Sequence, residues 1–157
     1  MLIKETGIYV RDVARSVRFY GGVMGFTLIG LAPKRHAFFR VGKAVLLCFN
    51  AKETRKRGIF PWHGARGSSH VAFEVSRKEY GPIKRRLGRK VKIIHEQQWG
   101  PKTRSFYFRD PDGNLLEIIE PGFWETLGPI EPSLMGITKL FGKVNWNENY
   151  DYKAARK

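Results

Sequence analysis

The chain contains one cysteine, Cys48, in 157 residues. A single thiol cannot form an internal disulfide, which agrees with a reducing cytoplasm. Cys48 lies in the apolar run AVLLCF, where we interpret it as a small buried hydrophobic residue. No apolar run approaches the roughly 18 residues that a membrane helix needs. The N-terminal stretch MLIKETG lacks the apolar segment of a secretory signal. We therefore expect a cytoplasmic protein without a membrane segment.

Acidic residues are also scarce, with 14 Asp and Glu against 29 Lys and Arg and a formal net charge of +15. The basic residues cluster at 52–57, at 84–92 and in the C-terminal tail. Such an excess attracts nucleic acid, anionic membrane surfaces or acidic small molecules. No helix-turn-helix, zinc-finger or RNA-recognition signature accompanies it. A nucleic-acid partner is therefore not favoured, and we interpret the charge as a solvated surface that attracts small anions.

The two halves of the sequence follow the same plan. Residues 5–12 (ETGIYVRD) and 70–77 (HVAFEVSR) alternate apolar and other residues, as half-buried strands do. Each leads into a predicted helix: Asp12 is a candidate N-cap for the first, and Ser76 with Glu79 forms a candidate capping box for the second. The apolar stripes of the two helices are formed by Val13, Val17 and Tyr20, and by Tyr80, Ile83 and Leu87.

Each half then ends in strands. Residues 37–42 turn into 43–50, and residues 105–113 turn into 114–119 through an Asp-Pro-Asp-Gly sequence suited to a tight turn. Weaker strands are predicted near 27–31 and 91–95. The predicted fold class is therefore α+β, with two βαβββ modules at 1–50 and 69–121. The joint at 51–69 is rich in Arg, Lys, Gly, Pro and Ser, and is predicted to be a loop.

Three segments of the sequence carry a family resemblance: YVRDVARSVRFYGGVMGF, HVAFEV and FRDPDGNLLEI. Over about residues 3–121 the chain resembles the vicinal oxygen chelate superfamily, also called glyoxalase/bleomycin resistance/dioxygenase. The resemblance implies two modules that form a curved mixed sheet around a central site for one divalent metal ion. It also implies a homodimer. The C-terminal extension, residues 122–157, lies outside the resemblance, and its apolar content predicts partial packing with a frayed end.

The resemblance implies metal ligands from the first and last strands of the modules. The matching positions are Glu5, His70 and Glu117, and Glu117 interrupts the apolar run LLEII. Each residue also has a simpler interpretation. Glu117 could be a surface carboxylate, His70 a hydrogen-bonded core histidine, and Glu5 a solvated side chain.

Aligning the two halves of the sequence on their turn glycines tests whether the first module supplies a fourth metal ligand. Matching Gly42 to Gly113 makes Leu46 the counterpart of Glu117, and leucine cannot bind a metal. The predicted site thus lacks the extra glutamate base of glyoxalase I. Three protein ligands leave positions open for water or for a substrate that chelates through two neighbouring oxygens. Two carboxylates and one imidazole do not distinguish Mn, Zn, Mg, Ni or Fe.

The function expected from this set is that of a divalent-metal-dependent lyase, isomerase or transferase that acts on a small, oxygen-rich, anionic molecule. Two alternatives remain open: a metal-free drug-binding protein of the bleomycin-resistance type, and an extradiol-type dioxygenase. The dioxygenase would prefer two histidines and one carboxylate. No catalytic residue is predicted. Candidate substrate-binding residues are Trp62, His63, Trp99 and Arg104, and the two tryptophans could equally be packing anchors.

Overall fold

The computed structural model describes residues 1–59 and 61–127. The chain divides into two compact units, Met1–Trp124 and Glu125–Lys157, and the first unit holds both modules. The predicted packing of the tail and its frayed end concern mainly residues 128–157, which lie outside the described residues. Within the described ranges, no helix has the length and apolar character required to cross a bilayer.

The first module forms a four-stranded mixed sheet in the order β1-β4-β3-β2, in which β1 runs parallel to β4. One face of this sheet packs against a short helix that continues as a π-helix. Its elements are β1 (Glu5–Val10), α1 (Val13–Val17), the π-helix (Arg18–Val23), β2 (Thr27–Ala32), β3 (His36–Val41) and β4 (Ala44–Asn50).

The second module repeats this arrangement with the order β5-β8-β7-β6 and with β5 parallel to β8. The predicted βαβββ plan is therefore confirmed, as two four-stranded sheets. Its elements, together with the short helix of the joint and a final 3-10 turn, are α2 (Ala51–Thr54), β5 (His70–Glu74), α3 (Arg77–Gly88), β6 (His95–Trp99), β7 (Thr103–Arg109), β8 (Leu115–Ile119) and Trp124–Thr126.

The predicted helix starts are confirmed. The Asp12 side chain accepts a hydrogen bond from the Arg15 backbone N–H at 3.0 Å, which satisfies one free donor of the first turn. Ser76 and Glu79 form the predicted capping box. The second helix begins at residue 77, and Pro82 lies inside it.

The weak strand predicted at 91–95 is wrong. The observed β6 begins at His95 and pairs with β7, whereas Val91 and Ile93 pack against the core from the loop that follows α3. The apolar spacing of Val91 and Ile93 reflects the packing of a loop against the core. The strand that follows this loop has the polar sequence HEQQW. The joint predicted as a loop also contains α2, whose first turn is capped by the Asn50 side chain at 3.0 Å from the Lys52 N–H.

One hydrophobic core serves both modules, because residues of both sheets and of both helical segments belong to a single buried cluster. Leu116 and Ile118 of β8 belong to it, and so does Cys48, which is fully buried as predicted. Glu117 alternates with these residues and so points to the other face of its sheet. We call the face of each sheet that is turned away from this core its open face.

The Asp-Pro-Asp-Gly turn connects the two modules. Asp110, 5% exposed, accepts hydrogen bonds from the hydroxyl of Tyr20, from the side-chain amide of Asn114 and from two backbone N–H groups, all at 2.8 Å. Burial and the Asp110 charge raise the pKa of Tyr20 above its ordinary value. Asp112 accepts from the Arg15 guanidinium at 2.7 Å. The turn of the second module is thus bonded to the helical segment of the first.

Candidate metal centre

The open face of the second sheet carries polar side chains that converge on Glu117. In β8, Glu117 pairs in register with Tyr107 of β7 and with Ala72 of β5. His70 lies two residues before Ala72 and therefore projects from the same face. Glu117 is only 5% exposed, so its carboxylate needs partners that replace water.

Both carboxylate oxygens of Glu117 have a neighbour. The Tyr107 hydroxyl donates to Oε1 at 2.6 Å, and Nε2 of His70 lies 3.3 Å from Oε2. The other ring nitrogen of His70, Nδ1, lies 3.2 Å from the backbone carbonyl of Leu115. A carbonyl oxygen can only accept, so Nδ1 must carry a proton.

This proton position decides what the pair can hold. In the neutral ring, Nε2 presents a lone pair toward Oε2, and two acceptors this close need a cation between them, either a proton or a metal ion. Metal-binding histidines characteristically donate their second N–H to a carbonyl or carboxylate, as His70 does. The geometry of His70 and Glu117 therefore fits a divalent metal ion.

The third predicted ligand, Glu5, is not part of this group. It is exposed on β1, the edge strand of the first sheet. Among residues 1–59 and 61–127 of one chain, no three His, Cys, Asp or Glu side chains lie close enough to hold a common metal ion. One chain thus brings together two of the three predicted ligands.

The glycine match that made Leu46 the counterpart of Glu117 is wrong by one residue. Glu117 pairs in register with Ala72, which lies two residues after His70. Gly7, two residues after Glu5, pairs with Leu47, so Leu47 is the counterpart of Glu117. Leu46 belongs to the core. The match failed because Gly42 lies three residues before Val45, the partner of Glu5, whereas Gly113 lies two residues before Leu115, the partner of His70. The true counterpart is again a leucine, so the first module still offers no fourth ligand.

Comparison with known proteins now adds an independent observation. Residues 2–118 match the model of the Glyoxalase/Bleomycin resistance protein/Dioxygenase superfamily. The chain belongs to this superfamily. The expected family and fold class are thereby confirmed.

Relatives within the superfamily perform different chemistry. The chain is 30% identical over 114 residues to the glutathione transferase FosA of Serratia marcescens, covering 69% of this chain and 73% of that protein. It is 29% identical over 111 residues to the catechol-2,3-dioxygenase of Bacillus subtilis, covering 69% of this chain and 38% of that protein. The crystal structure of lactoylglutathione lyase from Agrobacterium tumefaciens superposes with a TM-score of 0.74 at 31% identity, covering 78% of this chain and 96% of that one. Membership of the superfamily therefore leaves the reaction type open.

In this superfamily member, the joint between the modules lies on the open face of the first sheet. Nδ1 of His63 lies 2.9 Å from the hydroxyl of Tyr9. The backbone of His63 is held by Thr54, which accepts from its N–H at 3.1 Å and donates to its carbonyl at 2.8 Å. The neighbouring Trp62 is 69% exposed. His63 thus lies against the open face of the first sheet, and the exposed Trp62 precedes it in the chain.

The other two predicted substrate-binding residues lie on opposite faces of the second sheet. Trp99 donates its indole N–H to Ser105 at 2.9 Å and packs against Phe123 at 4.6 Å between ring centroids. Arg104 projects from the face of β7 opposite to Tyr107, and its guanidinium donates two hydrogen bonds to the Glu120 carboxylate, at 2.6 and 2.9 Å. The structure does not bring Arg104 to the His70–Glu117 pair, and its contact with a substrate stays a prediction.

The Arg104–Glu120 pair gives a pH-dependent prediction. The guanidinium of Arg104 lowers the pKa of Glu120 below its ordinary value of 4.5. The ionised pair should therefore stabilise the fold above this value and lose its contribution as the pH falls through the lowered pKa. In urea unfolding, we expect Glu120→Gln to be less stable than the wild type at pH 7, and the difference to disappear in acid. The exposed Glu74→Gln is the control, and a difference that persists unchanged in acid would contradict the prediction.

Proposed function

We propose that this protein is a divalent-metal-dependent enzyme of the lyase, isomerase or transferase type that acts on a small, oxygen-rich, anionic molecule. The observation that carries the proposal is the pair of facing acceptors, Nε2 of His70 and Oε2 of Glu117, with Nδ1 of His70 committed to a carbonyl. The formal charge of +15 supports an anionic substrate, because it raises the local concentration of anions.

The third ligand in this proposal is Glu5 of a second copy. Glu5 is exposed at the edge of the first sheet and projects from the open face. In a homodimer, the open face of the first sheet of one copy would lie against the open face of the second sheet of the other. That arrangement would bring Glu5 to His70 and Glu117 twice, by symmetry. A cytoplasmic location remains part of the proposal.

The residues of the chain would divide the work as follows. A bound metal would supply Lewis-acid polarisation of a substrate oxygen and stabilise developing negative charge. His70 and Glu117 would hold it, and Tyr107 would fix the orientation of Glu117. His63, Trp62 and Trp99 would line the substrate site. None of these residues selects the metal, so Mn, Zn, Mg, Ni and Fe stay equally open.

Metal titration of the full chain tests this proposal. We expect Mn²⁺ or Zn²⁺ to bind by isothermal titration calorimetry and Glu117→Gln to weaken binding more than about a hundredfold, because a direct ligand contributes at least as much as the groups that support it. Glu74→Gln is the matched control, since it removes an exposed carboxylate from the face of β5 that also carries His70. Equal binding by Glu117→Gln would reject the assigned site. A wild type that binds neither ion would favour the metal-free drug-binding alternative.

Tyr107 provides a second, smaller test. Removing its hydroxyl leaves Oε1 of Glu117 without its 2.6 Å donor and frees the carboxylate to rotate. We expect Tyr107→Phe to weaken metal binding about tenfold, the effect typical of groups that orient a ligand. Tyr9→Phe removes a hydroxyl from the first sheet and should leave affinity for the metal nearly unchanged. An unaltered affinity in Tyr107→Phe would show that Glu117 does not depend on it.

A further inference from the structure

Five rings lie together on the open face of the first sheet, although that face is turned away from the core. They come from β1, β3, β4 and the joint, and all are half-buried. We call them the aromatic wall: Tyr9, His36, Phe38, Phe49 and His63.

Phe49 is the centre of the aromatic wall. Its ring centroid lies 4.6 Å from that of His63 and 5.6 Å from that of Phe38, in both cases edge to face. The centroids of His36 and Tyr9 lie 6.1 and 6.5 Å away. His36 in turn stacks on Phe38 at 4.2 Å, nearly parallel. These separations are those of favourable aromatic pairs, so the wall is a continuous surface of ring faces and edges.

The two histidines of the aromatic wall supply its polar ring nitrogens. His63 uses Nδ1 for the Tyr9 hydroxyl. No group in the part of the chain that the structure describes bonds to its Nε2. Burial and the neighbouring Arg35 lower the pKa of His36, which keeps that ring neutral and suited to stacking. The wall therefore offers half-buried aromatic surface together with two ring nitrogens that have no partner among the described residues, Nε2 of His63 and Nδ1 of His36.

The aromatic wall continues along β1 to the proposed metal ligand. Tyr9 and Glu5 lie on the same face of this strand, about 13 Å apart at the ordinary rise per residue. Gly7 lies between them, and a Cβ there would touch the Phe49 ring at 3.7 Å. Glycine thus leaves the edge of Phe49 open toward Glu5. The exposed Arg40 occupies the same cross-strand row as Glu5, two strands away, and its positive charge favours an anionic group on this face.

We propose that the aromatic wall binds a planar aromatic group of the substrate, whose anionic, oxygen-bearing head reaches the metal. The substrate class is therefore an aryl compound with an anionic oxygen head, in which ring and head are separated by a short spacer. The placement of the head rests on the proposed metal function, whereas the binding of the ring rests on the wall alone.

A pair of probes of matched size tests the ring site: naphthoate, which is planar, and decahydronaphthoate, its saturated counterpart. Binding to the full chain is measured by calorimetry with EDTA present. We expect naphthoate to bind about tenfold more tightly, and Phe49→Leu to reduce that preference about fivefold, the effect of losing one or two aromatic pairs. Phe26→Leu is the control, because Phe26 is half-buried but packs against Phe73 on the core side of the sheets.

The outcomes separate the two proposals. Glu117→Gln should lose metal binding yet keep the preference for naphthoate, which would support the wall whether or not the metal site is correct. Equal binding of the two probes by the wild type, or an unchanged preference in Phe49→Leu, would overturn the wall.

Discussion

Asp110→Ala should lower the free energy of unfolding by about 4 kcal/mol, because a buried carboxylate that satisfies several donors is lost at once. The hydroxyl of the fully buried Tyr20 and the amide of the buried Asn114 would be left without their acceptor. Since Tyr20 belongs to the first module and Asp110 to the second, the connection between the modules should weaken as well. Urea unfolding followed by circular dichroism measures the change.

Two companion variants show whether the network is the cause. Tyr20→Phe removes one hydrogen bond and keeps the ring, so it should cost about 1 kcal/mol. Lys43→Ala alters an exposed residue in the corresponding turn of the first module and should cost less than about 0.5 kcal/mol. An Asp110→Ala protein within about 1 kcal/mol of the wild type would mean that water replaces the carboxylate and that the modules are held together by the core alone.

Mixing two variants that have each lost metal binding should restore about a quarter of the wild-type metal sites. If Glu5 comes from a second copy, a hybrid dimer of Glu5→Gln and Glu117→Gln holds one intact site and one doubly damaged site. Half of the dimers in an equal mixture are hybrids, and each recovers one site of two. Metal content after unfolding and refolding the mixture together, followed by desalting, measures the recovery.

A second mixture is the matched control. His70→Ala and Glu117→Gln damage the same half of the site, so a hybrid of these two copies still lacks one ligand at each site. No recovery is expected from this mixture. If the first mixture also stays empty, Glu5 is not supplied by the second copy and the proposed dimer arrangement is wrong.

Local signals in the sequence predicted much of the fold because they act over a few residues. The Asp12 cap, the Ser76–Glu79 box and the Asp-Pro-Asp-Gly turn each depend on neighbouring groups, and the structure has all of them. The strand predicted at 91–95 failed because Val91 and Ile93 pack against the core from a loop and do not pair in the sheet. Whether an apolar segment pairs or merely packs depends on distant partners that local spacing does not reveal.

The site was predicted unevenly for a similar reason. The family resemblance identified His70 and Glu117, which the structure brings within 3.3 Å of each other. Tyr107 was missed, although the hairpin register that pairs it with Glu117 can be counted outward from the turn. The same count shows that Arg104 projects from the opposite face. The aromatic wall draws rings from four separate elements, and no short motif could have indicated it.

The burial of Cys48 allows local unfolding of this chain to be followed by thiol labelling. The thiol is fully buried on β4, it is the chain's single cysteine, and burial raises its pKa well above the ordinary value. A thiol-reactive label can therefore attach only when the first sheet separates from its helical layer. The labelling rate reports how often that opening occurs, without any engineered probe.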